Sequence, residues 1–433
     1  MIDVRLIREN PAHVKAEIAK LNAAAPIDEI ADLDQRRRQL LTEVEALKAE
    51  RNEGSKVVSR TKDAAERQSL IENLRVLGDS ITALDEKANQ IDTELYQLML
   101  QVPNLPLPEV PVGSDESHNV VAREVGRRNE YSFQPKPHWE IGEALGIIDF
   151  ERGVKVSGSR FYVLRGDGAR LQRALIAWML DLHTMKHGYS EVYPPFMVQE
   201  QALIGTGNLP KFGDNLFRIA DDDKWLIPTA EVPVTNLYRD EILEEAHLPI
   251  YHVAFTPCFR SEKLSAGRDV RGIKRGYQFD KVEMVKFVHP DKSIEEHARL
   301  IGEASDVLEA LGLPYRVLQM CTGDLSFSAA NKVDLESWAP GSEEWLEVSS
   351  CSNFLDFQAR RANLRVRPAN GGRPQYLHTL NGSGLALPRT VISILEHYQQ
   401  EDGTVVIPEV IRPYMRGQEV IGPQPPLGPS SAS

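Results

Sequence analysis

The segment FRSEKLSAGRDVRGIKRGYQFDKVEM (259–284) sets seven Lys or Arg among 26 residues of a chain whose formal net charge is −13. Strand-like runs flank it, HVAFTPCFRSE (252–262) and GYQFDKVEMVKFV (276–288). The loop between them, 263–275, is longer than a hairpin needs for closure, which favours function or mobility. Side chains alternate along a strand, so Arg260 and Glu262 share a face. Phe279, Lys281 and Glu283 share one on the return strand, while Val282, Met284 and Val288 point the other way. One side of the ribbon is therefore charged and its back apolar. An aromatic ring among those charges offers a stacking platform for a flat ligand. Arg260 among carboxylates suits bidentate phosphate recognition, and Arg268, Arg271, Lys274 and Arg275 suit an anionic tail or RNA. The plain alternatives are a core phenylalanine and a solvated charge run. GxxxxGK[ST], a complete GxGxxG after a strand, and HExxH are all missing, so a nucleotide here would lie on an antiparallel sheet and be held by side chains.

Other elements must carry that ribbon. Asn10-Pro11 is an N-cap followed by proline at the first helical position, so a short helix is expected after it. Ile30, Leu33, Arg37, Leu40, Val44 and Leu47 set a heptad register that Arg51 and Gly54 degrade. Leu70, Leu74, Leu77, Ile81, Leu84, Ala88, Ile91, Leu95 and Leu98 set a cleaner one, alternating steps of four and three. Two such helices joined by a turn fold back as an antiparallel coiled-coil hairpin about 50 Å long. Lys56, Arg60 and Lys62, with no acid between Gly54 and Lys62, make its tip positive or simply a solvated turn. VPNLPLPEVPVG (102–113) contains four prolines and reads as a linker. Beyond it, GDGARLQRALIAWMLDLHTMKHG (166–188) is an amphipathic helix with Leu171, Leu175, Trp178, Met179 and Leu182 on one side. Strands close in sequence then favour an α+β body with an antiparallel sheet over a doubly wound one. The domains are read as 1–103 (helical arm), 104–130 (linker and start of the body), 131–421 (the α+β body) and 422–433 (a Pro/Ser/Gly-rich disordered tail).

Composition narrows the class. At 433 residues, 42% hydrophobic and 26% charged, the chain is an ordinary globular protein of two or three domains. No apolar run approaches membrane-spanning length, and MIDVRLIREN lacks the apolar core of a secretory signal. Cys258, Cys321 and Cys351 are scattered, which suits a reducing cytoplasm and argues against disulfides or a structural zinc site.

These segments together resemble a class II aminoacyl-tRNA synthetase, specifically the bacterial type of seryl-tRNA synthetase. FRSE…RG…QFDKVEM looks like motif 2 of the class, NGSGLALPRT (381–390) like motif 3, and HGYSEVYPPF (187–196) like motif 1, with Pro195 in the motif's proline position. PTAEVP (228–233) and EVSSCSNFLDFQARR (347–361) match stretches peculiar to the seryl enzymes. The resemblance runs to about Tyr414, and the HIGH and KMSKS signatures of class I are absent. It implies an α+β fold, in which a coiled-coil arm precedes an antiparallel sheet flanked by helices, and a ligase that joins serine to tRNA(Ser) through seryl-adenylate. By family habit tRNA(Sec) is a second substrate.

The resemblance also assigns roles. Arg260 would contact the α-phosphate and the serine carboxylate, and Arg389 the distal phosphates; these two are the catalytic pair. Glu262 would face adenine and Phe279 stack on it, with Ser261, Val348 and Ser349 also in the ATP site. Glu347 and Ser350 would hold Mg²⁺, whose preference is for hard oxygens. Because residues three apart face opposite ways on a regular strand, that assignment implies a bend or bulge between them. Thr229 and Glu231, two apart on a strand face, would receive the substrate ammonium, with Ala230 between them. Glu283 and Ser383, with Asn381 and Thr379, would surround the serine side chain. Lys56, Arg60 and Lys62 of the arm, and Arg268 and Arg271 of the loop, would meet tRNA, and motif 1 implies a homodimer. Three departures stand out: Lys263-Leu264 where small residues are usual, Tyr277 where His is common, and Pro388 where Gly is frequent. Two other readings compete. One is an activator that loads a carrier protein, whose relatives lack the arm and bind zinc. The other is a non-catalytic scaffold, against which the joint presence of Arg260, Glu262, Glu283, Glu347 and Arg389 argues.

Overall fold

A computed structural model describes residues 1–263 and 271–425. Arg268 and Leu264 thus lie outside the described residues, as do residues 426–433. The chain divides into two compact units, Met1–Leu105 and Pro106–Ser433.

The first unit is helical: α1 (Val4–Glu9), α2 (Pro11–Lys20), α3 (Ile27–Arg60) and α4 (Ala64–Met99). The Asn10 side chain accepts the His13 amide at 3.1 Å, and Pro11 opens α2, as the cap pair predicts. Helices α3 and α4, 34 and 36 residues long, form the expected hairpin, and at 1.5 Å per residue each spans about 50 Å. Ile30, Leu33 and Val44 of one helix and Ile81, Ala88, Ile91 and Leu95 of the other are buried along the seam. Arg37, an odd member of an apolar register, is half-buried and ion-paired with Asp92 of the opposing helix. Asp34 is buried and held by Arg8 at 2.8 and 2.9 Å, which keeps its carboxyl below the usual range against the opposing effect of burial.

The turn of the hairpin lies beyond Gly54. Gly54 does not end the helix, which runs on to Arg60, and the turn is Thr61–Asp63. Gly54 instead lets the opposing helix approach, since a β-carbon there would lie 2.7 Å from Leu74 Cδ2. Lys56 and Arg60 therefore stand on the last turns of α3. Lys56 pairs with Glu53 at 2.5 Å and Asp63 caps α4, so acids bracket the basic tip.

The second unit is built on an eight-stranded sheet. Its strands are β1 (Val120–Val125), β2 (Ser190–Glu191), β3 (Ile250–Phe259), β4 (Gln278–Val288), β5 (Tyr315–Gln319), β6 (Asn331–Ala339), β7 (Glu344–Asn353) and β8 (His378–Ala386), in the order β1-β5-β6-β7-β8-β4-β3-β2. Every pairing is antiparallel except β2 on β3, so the sheet is mixed, with one short parallel edge strand. Residues 192–249 intervene between β2 and β3, ample for the crossover that a parallel pair needs. Helices α5 (Gly166–Met185), α6 (Ser293–Ala310) and α7 (Leu387–His397) cover one face. Leu171, Leu175 and Met179 of α5 join Leu300 of α6, Val391 and Ile394 of α7, and Val282, Met284 and Val288 of β4 in one core. The apolar back of the ribbon is thus buried as its alternation predicts. Pro388 sits in the first turn of α7, where its missing N–H costs little.

Two register shifts shape the opposite face. Leu335 pairs with Ser349 but Glu336 pairs with Glu347, which leaves Val348 as the extra residue of a bulge, the bend expected between Glu347 and Ser350. A second shift lies between Ser383 and Leu385, opposite β4. The proline-rich linker is tied down, the Leu107 amide donating to the Ala330 carbonyl at 2.8 Å. Gly422–Pro425, expected in a disordered tail, are also packed: Gln424 donates its amide to Leu145 O at 2.8 Å and its side chain to Asp167 at 2.9 Å.

Candidate active site

A cavity of about 370 Å³ opens on the sheet face away from the helices. Its floor is β4, which contributes Phe279, Lys281 and Glu283, and β8, which contributes Asn381 and Ser383. Glu347, Val348 and Ser350 enter from the bulged β7, and Arg389 from the first turn of α7. Arg260 and Glu262 follow the end of β3. The predicted strand is shorter than expected, ending at Phe259, and Glu262 has a left-handed backbone (φ 49°), so strand parity does not place that pair. Thr229 and Glu231 line the wall too, from a loop and the first turn of the short helix Glu231–Thr235 rather than from one strand face. The turn still unites them, the Glu231 amide donating to Thr229 Oγ1 at 3.2 Å.

One end of the cavity is acidic. The Asn381 amide bridges two carboxylates, Glu231 at 3.1 Å and Glu283 at 2.7 Å. Lys281 pairs with Glu283 at 2.5 Å and donates to Thr229 Oγ1 at 2.8 Å, while the Ser383 hydroxyl approaches Glu283 at 3.4 Å. Gln358 donates to Glu231 at 2.6 Å and is itself fixed by Thr379 Oγ1 at 2.7 Å. Burial, and then the negative charge of Glu283, push the Glu231 carboxyl up to about 7. Such a pocket lacks one positive charge, and an ammonium group would supply it.

The other end is basic and aromatic. The Arg260 guanidinium lies 5.1 Å from the centre of the Phe279 ring and donates to the Pro228 carbonyl at 3.2 Å. Arg275 pairs with Glu262 at 3.0 Å, and Arg389 donates to the Glu347 carbonyl at 2.7 Å with its carboxylate 3.4 Å away. Burial alone would raise the Glu347 carboxyl. The charges of Arg389, Lys332, Arg260 and Lys281 outweigh it and hold the group low, so Glu347 stays anionic. Asp334, paired across the strands with Ser350, is raised by burial despite Lys332 beside it, and its Oδ1 is buried without a hydrogen-bond partner. Glu347 and Ser350 therefore form a small set of hard oxygen donors beside a further buried carboxylate. That donor set fits a cation such as Mg²⁺, which keeps several waters and is completed by substrate phosphates.

Four of the residues assigned by resemblance do not reach the cavity wall. Ser261 donates to Asp214 O at 2.6 Å, Ser349 is buried and donates to Ser383 O at 2.7 Å, Ala230 is fully buried, and Thr379 meets the site only through Gln358. Arg271 lies 4.9 Å from the centre of the Trp139 ring. Lys332 and Gln358 were not singled out as site residues. Lys332 and Asp334 stand two apart on a strand, and Gln358 falls in the quoted 347–361 segment, the only signals that could have found them.

Comparison with known proteins bears on this geometry. Residues 1–106 match the seryl-tRNA synthetase N-terminal domain, and residues 216–398 the class II tRNA synthetase core domain (G, H, P, S and T). A serine–tRNA ligase of Thermomicrobium roseum is 66% identical over 98% of this chain and 96% of its own length. That of Herpetosiphon aurantiacus is 60% identical over 98% and 100%. The crystal structure of seryl-tRNA synthetase from Pyrococcus horikoshii complexed with ATP superposes with a TM-score of 0.92 at 37% identity, covering 98% of this chain and all of that one. At such identity over nearly the full length, with the helical arm and the cavity in place, the chain belongs to the seryl-tRNA synthetase family of class II enzymes.

Proposed function

We propose that this chain is a serine–tRNA ligase, which makes seryl-adenylate from L-serine and ATP with release of pyrophosphate and passes the seryl group to tRNA(Ser). The single observation that carries the reading is the cavity's polarity: an acidic end sized for a small amino acid adjoins an arginine-bearing, aromatic end suited to a nucleotide. Serine's carboxylate is already ionised at neutral pH, so activation needs no general base. A carboxylate oxygen attacks the α-phosphorus, the bond to the bridging oxygen of pyrophosphate breaks, and Arg260 and Arg389 stabilise the charge on the phosphoryl oxygens and the leaving group. Phe279 supports the adenine ring, with Glu262 beside it. Glu347 and Ser350 would hold Mg²⁺, which when bound supplies charge neutralisation at the phosphates. A terminal ribose hydroxyl of the tRNA then attacks the adenylate carbonyl, and AMP leaves.

Glu231, with Thr229, receives the substrate ammonium, while Glu283, Asn381 and Ser383 face the serine hydroxyl. Thr379 acts through Gln358, and Ala230, Ser261 and Ser349 hold backbone rather than ligand. Alanine brings no hydroxyl to bond with Glu283 and Ser383 in a buried site, whereas threonine is excluded by the volume of its methyl group. Replacing Glu283 with glutamine is expected to narrow the serine-over-alanine ratio of kcat/KM by about a hundredfold, measured by ATP–pyrophosphate exchange. An unchanged ratio removes Glu283 from side-chain recognition.

A pH dependence follows from Glu231. Its carboxyl in the free site sits up at about 7, so below that pH it is neutral and attracts an ammonium poorly. The kcat/KM for serine should therefore rise as pH passes through about 7, and Glu231→Gln should flatten that rise while increasing the KM for serine. A rise identical in the variant would assign it to another group.

On the same reading Lys56, Arg60, Lys62, Arg268 and Arg271 contact tRNA phosphates, and recognition is of shape more than of base sequence. A homodimer through the motif 1 segment is supported by the short edge strand β2 and by Tyr193 and Met197 beside it, 78% and 53% exposed. No helix among the described residues is long and apolar enough to cross a membrane. A cytoplasmic setting and charging of tRNA(Sec) belong to the proposal by family membership. Exchange assayed across the twenty amino acids tests the whole: serine alone should support it at a high rate, and failure with serine and magnesium present overturns the assignment.

A further inference from the structure

A fully buried hydrogen-bond relay lies outside the cavity, and nothing in the mechanism above uses it. Glu396, in α7 two turns beyond Arg389, has no exposed surface. Its Oε1 accepts from the His138 amide at 2.9 Å, from His138 Nδ1 at 2.9 Å and from Ser342 Oγ at 2.8 Å, and its Oε2 accepts the Ser342 amide at 2.9 Å. All of those partners can donate, and His138 presents an Nδ1–H to the carboxyl. The other ring nitrogen, Nε2, receives the Ile273 amide at 3.1 Å and must therefore be bare. His138 is 2% exposed and Ile273 1%.

The contact is made at the return limb of the arginine-rich loop. Gly272 there has φ 77°, and a β-carbon on it would fall 2.1 Å from His138 Nε2, so the imidazole and the backbone are fitted to each other. The neighbours on either side carry the limb's charges. Arg271 lies over Trp139, Lys274 pairs with Glu344 at 2.6 Å, and Arg275 reaches Glu262 at the cavity at 3.0 Å. Around His138 itself stand the Glu396 carboxylate, the Ser342 hydroxyl and the Trp139 ring, 5.0 Å away and edge-on, with Arg271 beyond that ring.

We propose that His138 and Glu396 form a latch that ties residues 271–276 to the helix carrying Arg389, so that both cationic walls of the nucleotide site are set by one buried contact. His138 and Glu396 are positioning residues, and the inference rests on the ATP-dependent reading of the cavity.

The test compares the full-length wild type with His138→Phe, which fills the space without an acceptor, and with Gly272→Ala, which disturbs the same contact from the loop. In both variants the kcat/KM for ATP in serine-dependent pyrophosphate exchange should fall by about tenfold or more, as misplacement of binding groups does. The Ile273 amide should exchange with deuterium at least about tenfold faster at an unchanged far-UV dichroism spectrum. Wild-type ATP kinetics with unaltered Ile273 exchange in His138→Phe overturns the latch. Should His138→Phe not fold, wild-type values in Gly272→Ala overturn it equally. A wild type inactive with serine would instead refute the proposed function, so the two failures are distinguishable.

Discussion

Replacing Arg260 with alanine is expected to lower kcat for serine-dependent ATP–pyrophosphate exchange by about two to three orders of magnitude, the range for removing one preorganised donor to a developing anion. The argument is geometric. Arg260 follows the last residue of β3 and is held from both sides, its amide donating to Tyr277 O at 2.9 Å and its Nε to Pro228 O at 3.2 Å. The Phe279 ring lies 5.1 Å from the guanidinium carbon, which fixes the plane of the group. Little reorganisation remains to be made when charge builds on the α-phosphoryl oxygens, and water cannot substitute for a group so placed. Lysine keeps the charge but loses the planar fork, so Arg260→Lys should recover only a small part of the rate. On the proposed roles Glu231 and Glu283 meet serine's ammonium and hydroxyl and Arg260 only its carboxylate, so the KM for serine should change less than kcat. Exchange kinetics on purified variants check this, and an alanine variant with near wild-type kcat would remove Arg260 from the activation step.

Shortening the helical arm should have the opposite profile. Excising residues 49–84 and closing the gap with a short Gly/Ser turn removes the tip while keeping the Arg8–Asp34, Arg37–Asp92 and Lys48–Asp85 pairs at the arm's base. Exchange, which needs no tRNA, should stay within about twofold of wild type. Charging of tRNA(Ser) should fall by at least about a hundredfold, because the phosphate contacts proposed for Lys56, Arg60 and Lys62 go with it and such contacts dominate affinity. The loss should appear mainly in the KM for tRNA. It should be mimicked in part by raising salt on the wild type, since counterion release weakens the same contacts. The bracketing acids Glu53 and Asp63 temper the tip's field, so neutralising them should strengthen binding slightly. Undiminished charging by the shortened chain would leave the arm without its assigned role.

Some of this was legible in the residues alone. The heptads of α3 and α4 set the hairpin because burying one apolar stripe needs only a period of 3.5 and a partner. In the sequence Gly54 merely degrades the α3 register; its use for close approach of the opposing helix shows only with Leu74 in place. On β4, alternation correctly separated Phe279, Lys281 and Glu283 from Val282 and Met284, because a two-residue period leaves no other choice on a sheet with one buried face. Parity failed at Thr229 and Glu231, where a helix start replaced the strand, and at Arg260 and Glu262, where the strand had ended.

What the sequence determined by itself is therefore local and periodic: the arm, the two-faced ribbon, the cap at Asn10, and through resemblance the need for a bulge between Glu347 and Ser350. Only the tertiary structure decided which distant groups complete one another. Asn381 joins Glu231, 150 positions earlier, to Glu283, and His138 meets Glu396 across 258 positions. The physical reason is that a pattern of apolar positions constrains which face is buried, whereas the partner of a buried polar group depends on which strands and helices become neighbours. That choice leaves no period in the chain to read.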